Sequence, residues 1–160
     1  MATIIIGAFF IFNVSVGKLN NEQIFNKYYK PYEANLTFRS GNTELNTSLR
    51  KAMQLYENKN YTEASKLFEE VLRTDPSRIG LNLYSGISKM EIHQYENAGN
   101  SFNKVINDKF NLYIEQAEWY LSLCYIVTDQ DNKAVPLLNK IVKNKSFNYK
   151  EAGKILKRLN

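Results

Sequence analysis

Residues 49–72, LRKAMQLYENKNYTEASKLFEEVL, and residues 83–106, LYSGISKMEIHQYENAGNSFNKVI, are one pattern written twice, 34 residues apart. Leu49, Ala52, Met53, Glu57, Tyr61, Ala64, Phe68, Val71 and Leu72 answer to Leu83, Gly86, Ile87, Glu91, Tyr95, Ala98, Phe102, Val105 and Ile106. Agreement in size and polarity at a single offset points to a stacked helix–turn–helix repeat. One helix pair cannot bury its apolar face alone, so such units stack. Ala52 and Gly86 are small where the two helices of a pair must cross closely. Ala64 and Ala98 do the same on the second helix. Phe68 and Phe102 fill the space between one pair and the next, and Pro76 stops the second helix of the first pair.

A third copy follows with two extra residues. Trp119, Ser122, Leu123, Ala134, Leu138 and Ile141 stand 36 after Leu83, Gly86, Ile87, Ala98, Phe102 and Val105, which puts the insertion in residues 107–114. A last helix over about 148–159 carries Tyr149, Ala152, Ile155, Leu156 and Leu159 on one face. It covers the open end of the stack, as a helical array requires. Upstream, Asn20 and Gln23 form a capping box that opens a helix, Ile24, Phe25 and Tyr28 continue it, and Pro31 ends it. Residues 31–43 lack a helical period and read as an extended connector. The expected division is 1–17 apolar segment, 18–43 short helix and connector, and 44–160 repeat domain. Within that domain the units are about 45–78, 79–112 and 115–146, with the cap at 148–159.

Residues 45–143 resemble three tetratricopeptide repeats, on Ala52…Tyr61-Thr62-Glu63-Ala64…Phe68…Pro76, then Gly86…Tyr95-Glu96-Asn97-Ala98…Phe102, then Trp119…Ala134…Leu138. The chain departs from that pattern with Asp131 where Tyr61 and Tyr95 stand, Phe110 at the place of a terminating proline, and Ser48 and Lys51 in the first helix. The resemblance implies an all-α fold: a right-handed superhelix of antiparallel helix pairs whose first helices line a concave face. It also implies a protein or peptide ligand on that face. The lining candidates it implies are Asn46, Leu49, Met53 and Tyr56; Leu83, Ile87, Met90 and Glu91; and Gln116, Trp119, Leu123 and Ile126, with Tyr120 added as an aromatic anchor. Such apolar stripes at helical spacing are more often core than groove. The basic pocket with which some relatives grip an acidic C-terminus has Leu49 and Met53 at its Lys and Asn positions, so no such ligand is expected.

Met1–Gly17 has no charged side chain, and twelve of its residues are apolar. As a helix it reaches ~25 Å, slightly short of a ~30 Å hydrocarbon core. A membrane anchor, a cleaved signal ending near Ser15-Val16-Gly17 and a buried helix are the three readings, the first preferred. An apolar segment, then Phe25-Asn26-Lys27-Tyr28-Tyr29-Lys30-Pro31-Tyr32, a connector with Arg39, then repeats, resembles membrane-anchored repeat proteins of Bacteroidetes-type bacteria. That resemblance implies a single-pass inner-membrane protein with a periplasmic repeat domain. The positive-inside rule, applied to Lys18, Lys27 and Lys30, points instead to the cytoplasm.

The net charge of +5 sits largely in residues 145–160, with Lys145, Lys150, Lys154, Lys157 and Arg158 against Glu151. Cations there complement the helix dipole, and no nucleic acid is expected as a partner. A single cysteine, Cys124, excludes an intrachain disulfide and lies in an apolar run. His93 is the only histidine and falls in a turn. One His and one Cys give no metal-ligand spacing, and no glycine-rich phosphate loop is present. The expectation is a non-catalytic, cofactor-free interaction scaffold. The rival is a self-assembly element whose apolar surfaces drive oligomerisation.

Overall fold

The computed structural model describes residues 19–34 and 43–159, and the membrane-anchor expectation for 1–17 lies outside them. The described residues form eight helices and no strand. These are α1 (Asn21–Tyr28), α2 (Thr43–Glu57), α3 (Tyr61–Thr74), α4 (Leu81–Glu91), α5 (Tyr95–Asn107), α6 (Ile114–Val127), α7 (Asp131–Asn144) and α8 (Tyr149–Leu159). From α2 onward each helix packs against the next in chain order, and α1 crosses back to pack against α6. No described helix is long and apolar enough to cross a membrane.

The repeated sequence folds into repeated geometry. Lys59, His93 and Asp129 adopt φ of 61°, 60° and 55° at the ends of α2, α4 and α6. The next residue's N–H reaches back five positions: Asn60 to Leu55, Gln94 to Lys89 and Gln130 to Tyr125, each at 2.8 Å. The left-handed residue itself bonds three back, to Tyr56, Met90 and Ile126 at 2.9–3.0 Å. These paired bonds satisfy carbonyls that a helix end leaves open and reverse the chain in few residues. Asn60, Gln94 and Gln130 then accept the first helical bonds from Ala64, Ala98 and Ala134.

Small residues govern the crossings. Ala52, Ala64, Ala98, Ala134 and Ala152 are buried, as are Phe68, Phe102 and Leu138 in one tier and Val71, Val105 and Ile141 in another. A Cβ built on Gly86 would lie 2.5 Å from the Phe102 ring, closer than packed atoms approach. Gly86 is therefore set by the close crossing of α4 and α5.

Upstream, the capping box forms as the sequence predicts, while most of the expected connector, residues 35–42, lies outside the described residues. Asn20 Oδ1 accepts from Gln23 N–H at 2.8 Å and Gln23 Oε1 accepts from Asn20 N–H at 3.0 Å, which makes the capping box. α1 ends at Tyr28, and residues 29–34 continue without helix or strand. α3 ends at Thr74, before Pro76. There Asp75 Oδ1 accepts from the N–H and hydroxyl of Ser77, and its Oδ2 from Arg78 Nε at 2.9 Å. Arg78 donates onward to Asn46 Oδ1 at 3.2 Å, tying this turn to α2. The bonds from Ser77, then Arg78, hold the Asp75 carboxyl below its usual range. Asp131, anomalous by the repeat pattern, opens α7 and accepts from Asn21 Nδ2 at 3.0 Å, while Asp129 accepts from the same amide at 2.9 Å. The start of α1 docks there. Phe110, at the missing proline, is fully exposed.

Candidate functional site

Helices α2, α4 and α6 each place one tyrosine hydroxyl against the same upstream segment. Tyr120 of α6 donates to the Lys30 carbonyl at 2.8 Å. Tyr56 of α2 donates to the Tyr32 carbonyl at 2.5 Å. Tyr84 of α4 donates to the Glu33 carbonyl at 3.5 Å, a stretched bond. Side chains spread along three helices thus hold the main chain of one non-helical segment, residues 30–33. Neutral hydroxyls reading carbonyls recognise an extended backbone whatever side chains it bears.

Aromatic rings supply the rest of the grip. Tyr29 meets Tyr120 edge-on with centroids 6.1 Å apart, and Tyr32 sits 6.1 Å from both Tyr84 and Phe147. Phe25 stacks on Tyr29 at 4.9 Å and meets Tyr95 edge-on at 5.5 Å. Beneath them Phe102 stacks on Tyr120 at 5.8 Å. Ile24 and Phe25 are buried by this packing. Burial pushes the Tyr29, Tyr56 and Tyr120 phenols well above their ordinary range, and the Glu91 carboxylate adds to this at Tyr29. The Tyr29 hydroxyl is buried beside Glu91 without a hydrogen bond at ordinary geometry. An open cavity of about 600 Å³ remains alongside the segment, lined by Lys27, Lys30, Tyr32, Tyr120, Phe147 and Lys154 among others.

Comparisons of the chain with family models, curated proteins and solved structures find no match.

The residues expected to line an open face are placed differently. Leu49, Met53, Leu83, Ile87, Trp119, Tyr120 and Leu123 are all buried, Trp119 at 1% exposure. So are Asn46, Tyr56, Met90 and Ile126. Of the two readings of these stripes, burial favours the core: neighbouring helices close over them, and residues 24–34 cover Tyr56 and Tyr120. Glu91 and Gln116 are half-buried, Glu91 beside Tyr29. Tyr84 and the segment itself were not among the expected site residues. Tyr84 and Tyr120 stand 36 apart, the offset of the second and third copies, and that recurrence was the available signal.

Cys124 lies within the core and His93 in the turn after α4. Cys124 is buried and its thiol is pushed up by desolvation, away from the thiolate a nucleophile needs. His93 is exposed, with Nδ1 2.7 Å from the Tyr95 hydroxyl. Among the described residues no group of three His, Cys, Asp or Glu could hold a metal ion.

Proposed function

We propose that this chain is a non-catalytic interaction scaffold of tetratricopeptide type. In this reading the helix pairs form a right-handed superhelix of three repeats and a cap. Residues 1–17 tether it in a bacterial inner membrane with the repeats on the periplasmic side, and a protein or peptide partner binds along α2, α4 and α6. One observation carries the binding reading: Tyr56, Tyr84 and Tyr120 hold the carbonyls of an extended segment along those helices. The left-handed turns at Lys59, His93 and Asp129 support the repeat reading. Partner binding is tested with full-length bait and a synthetic peptide of residues 19–34. A partner that uses this groove is displaced as the peptide is raised, and one that survives saturating peptide binds elsewhere. The tether is tested by fractionation. Full-length protein belongs in the membrane pellet and an 18–160 variant in the supernatant; both in the supernatant would refute the anchor.

A second reading, self-assembly, draws on Phe110 and Leu112, exposed at 100% and 92% in the loop between α5 and α6. The loop is pinned by Asn111 Nδ2, which donates to the Val105 carbonyl at 2.8 Å, so both side chains are held outward. Light scattering of a Phe110→Ser/Leu112→Ser variant separates the readings. An oligomer that becomes monomeric supports self-assembly, and a wild-type monomer removes it.

A further inference from the structure

We infer that residues 24–34 are a tethered stand-in for the partner's own segment, and that a partner enters the groove by exchange with it. The inference rests on the binding reading above and adds the class of ligand and the mode of control. The ligand is a protein segment that arrives as a short helix and continues extended. It carries aromatic rings at the spacing of Phe25, Tyr29 and Tyr32 and needs no particular charge at its main chain. Three features mark the resident segment as an occupant rather than a layer of the fold.

The first is connectivity. From α2 to α8 every helix packs against its neighbour in chain order, so the stack is continuous without residues 19–34. The segment docks on the finished stack, through α6, Tyr95 of α5, Asp131 of α7, Phe147 and the three tyrosine hydroxyls.

The second is the manner of holding. The polar contacts along residues 30–33 run from helix hydroxyls to carbonyls at residues 30, 32 and 33. Main-chain carbonyls are present in any competing chain, so a competitor must match this local backbone path and carry rings that fit the pockets.

The third is imperfect fit. The Tyr29 hydroxyl is buried beside Glu91 without a hydrogen bond at ordinary geometry, and the Tyr84 hydroxyl reaches the Glu33 carbonyl only at 3.5 Å. A segment that completed a core would leave fewer such gaps. A better-matched ligand gains what the resident segment forgoes.

The tether sets the scale of competition. A competitor carried in the same chain acts at an effective concentration that reaches the millimolar range wherever the connection is short and flexible. A free peptide of equal intrinsic affinity therefore half-saturates the intact chain only at about millimolar concentration. Cutting the linker removes that advantage.

The test uses the full chain with a specific protease site inserted between Ala34 and Thr43. The probe is a fluorescent peptide of residues 19–34, followed by anisotropy before and after cleavage. The expected result is uptake by the cut protein at least tenfold lower in peptide concentration than by the uncut protein. Helical circular dichroism should be unchanged. In the cut protein, Tyr56→Phe with Tyr120→Phe should weaken probe binding roughly tenfold, about 1.4 kcal/mol. Equal uptake before and after cleavage would put the peptide elsewhere and overturn the inference. No uptake by cut, natively helical protein, or loss of helix on cutting, would make the segment part of the fold and overturn it too. Probe exchange without any partner displaced by peptide would leave this inference standing and remove the partner-binding reading.

Discussion

At the scale of single residues, the positions fixed by close packing are those where the sequence spoke most clearly. Gly86 matches Ala52 and Ser122 in the repeat, and the Phe102 ring occupies the place of its missing Cβ. Gly86→Ala would gain about 1 kcal/mol of helix propensity. It would also force a buried ring stacked on Tyr120 to move, which costs about 1–3 kcal/mol. Net destabilisation is expected, read as a lowered denaturant midpoint with an unchanged slope; a raised midpoint would mean that the crossing relaxes freely. Trp119 illustrates the opposite case. Its type and place fit either an interface anchor or a core, because both reward a large apolar ring. The structure buries it to 1% exposure, so Trp119→Ala should cost ~3–5 kcal/mol of stability. A variant that melts like the parent would contradict that burial.

At the scale of elements, the turns carry the repeat as faithfully as the helices do. Lys59, His93 and Asp129 differ in every side-chain property yet share one backbone conformation. A left-handed residue with a Cβ costs ~1–2 kcal/mol, and glycine escapes this at some entropic cost in the unfolded chain. Lys59→Gly is therefore expected to stabilise the domain by roughly 0.5–1 kcal/mol, measurable by urea unfolding. A loss of stability would show that the Lys59 side chain contributes something beyond its backbone. These turns were legible only through the spacing of the helices on either side, since no glycine or proline marks them. The helix pairs were legible because apolar and small residues recur at 34 and 36. The docking of α1 was not. Its capping box announced a helix, but nothing in Asn21 announces the Asp129 and Asp131 carboxylates more than a hundred positions away.

At the scale of the whole molecule, the occupied groove was the least legible feature, and the reason is chemical. Its acceptors are main-chain carbonyls of Lys30, Tyr32 and Glu33, which every residue possesses, so the accepting side leaves no mark in residue type. Only the donors could leave one, and of these Tyr84 and Tyr120 keep the repeat offset while Tyr56 does not. The same phenols give the molecule an alkaline limit. Burial raises Tyr29, Tyr56 and Tyr120 in the folded state above the ~10 of an unfolded tyrosine. The stabilisation from keeping them neutral is complete below pH ~10 and is lost as pH rises, because the unfolded chain then releases protons that the fold retains. Their phenolate absorbance is expected to appear together with loss of helical circular dichroism; ionisation ahead of unfolding would show that water reaches the groove. The position of the docked segment also bears on how the chain is born. Residues 24–34 leave the ribosome before any helix of the groove exists, and the last of their hydroxyl anchors, Tyr120, is made ninety positions after Lys30. At synthesis rates of about 5–20 residues per second that interval is roughly 5–20 s. Throughout it Ile24, Phe25 and Tyr29 have nowhere of their own to go, while the helix pairs close locally as each is completed. Whatever first handles the nascent chain therefore meets the groove's occupant before the groove does.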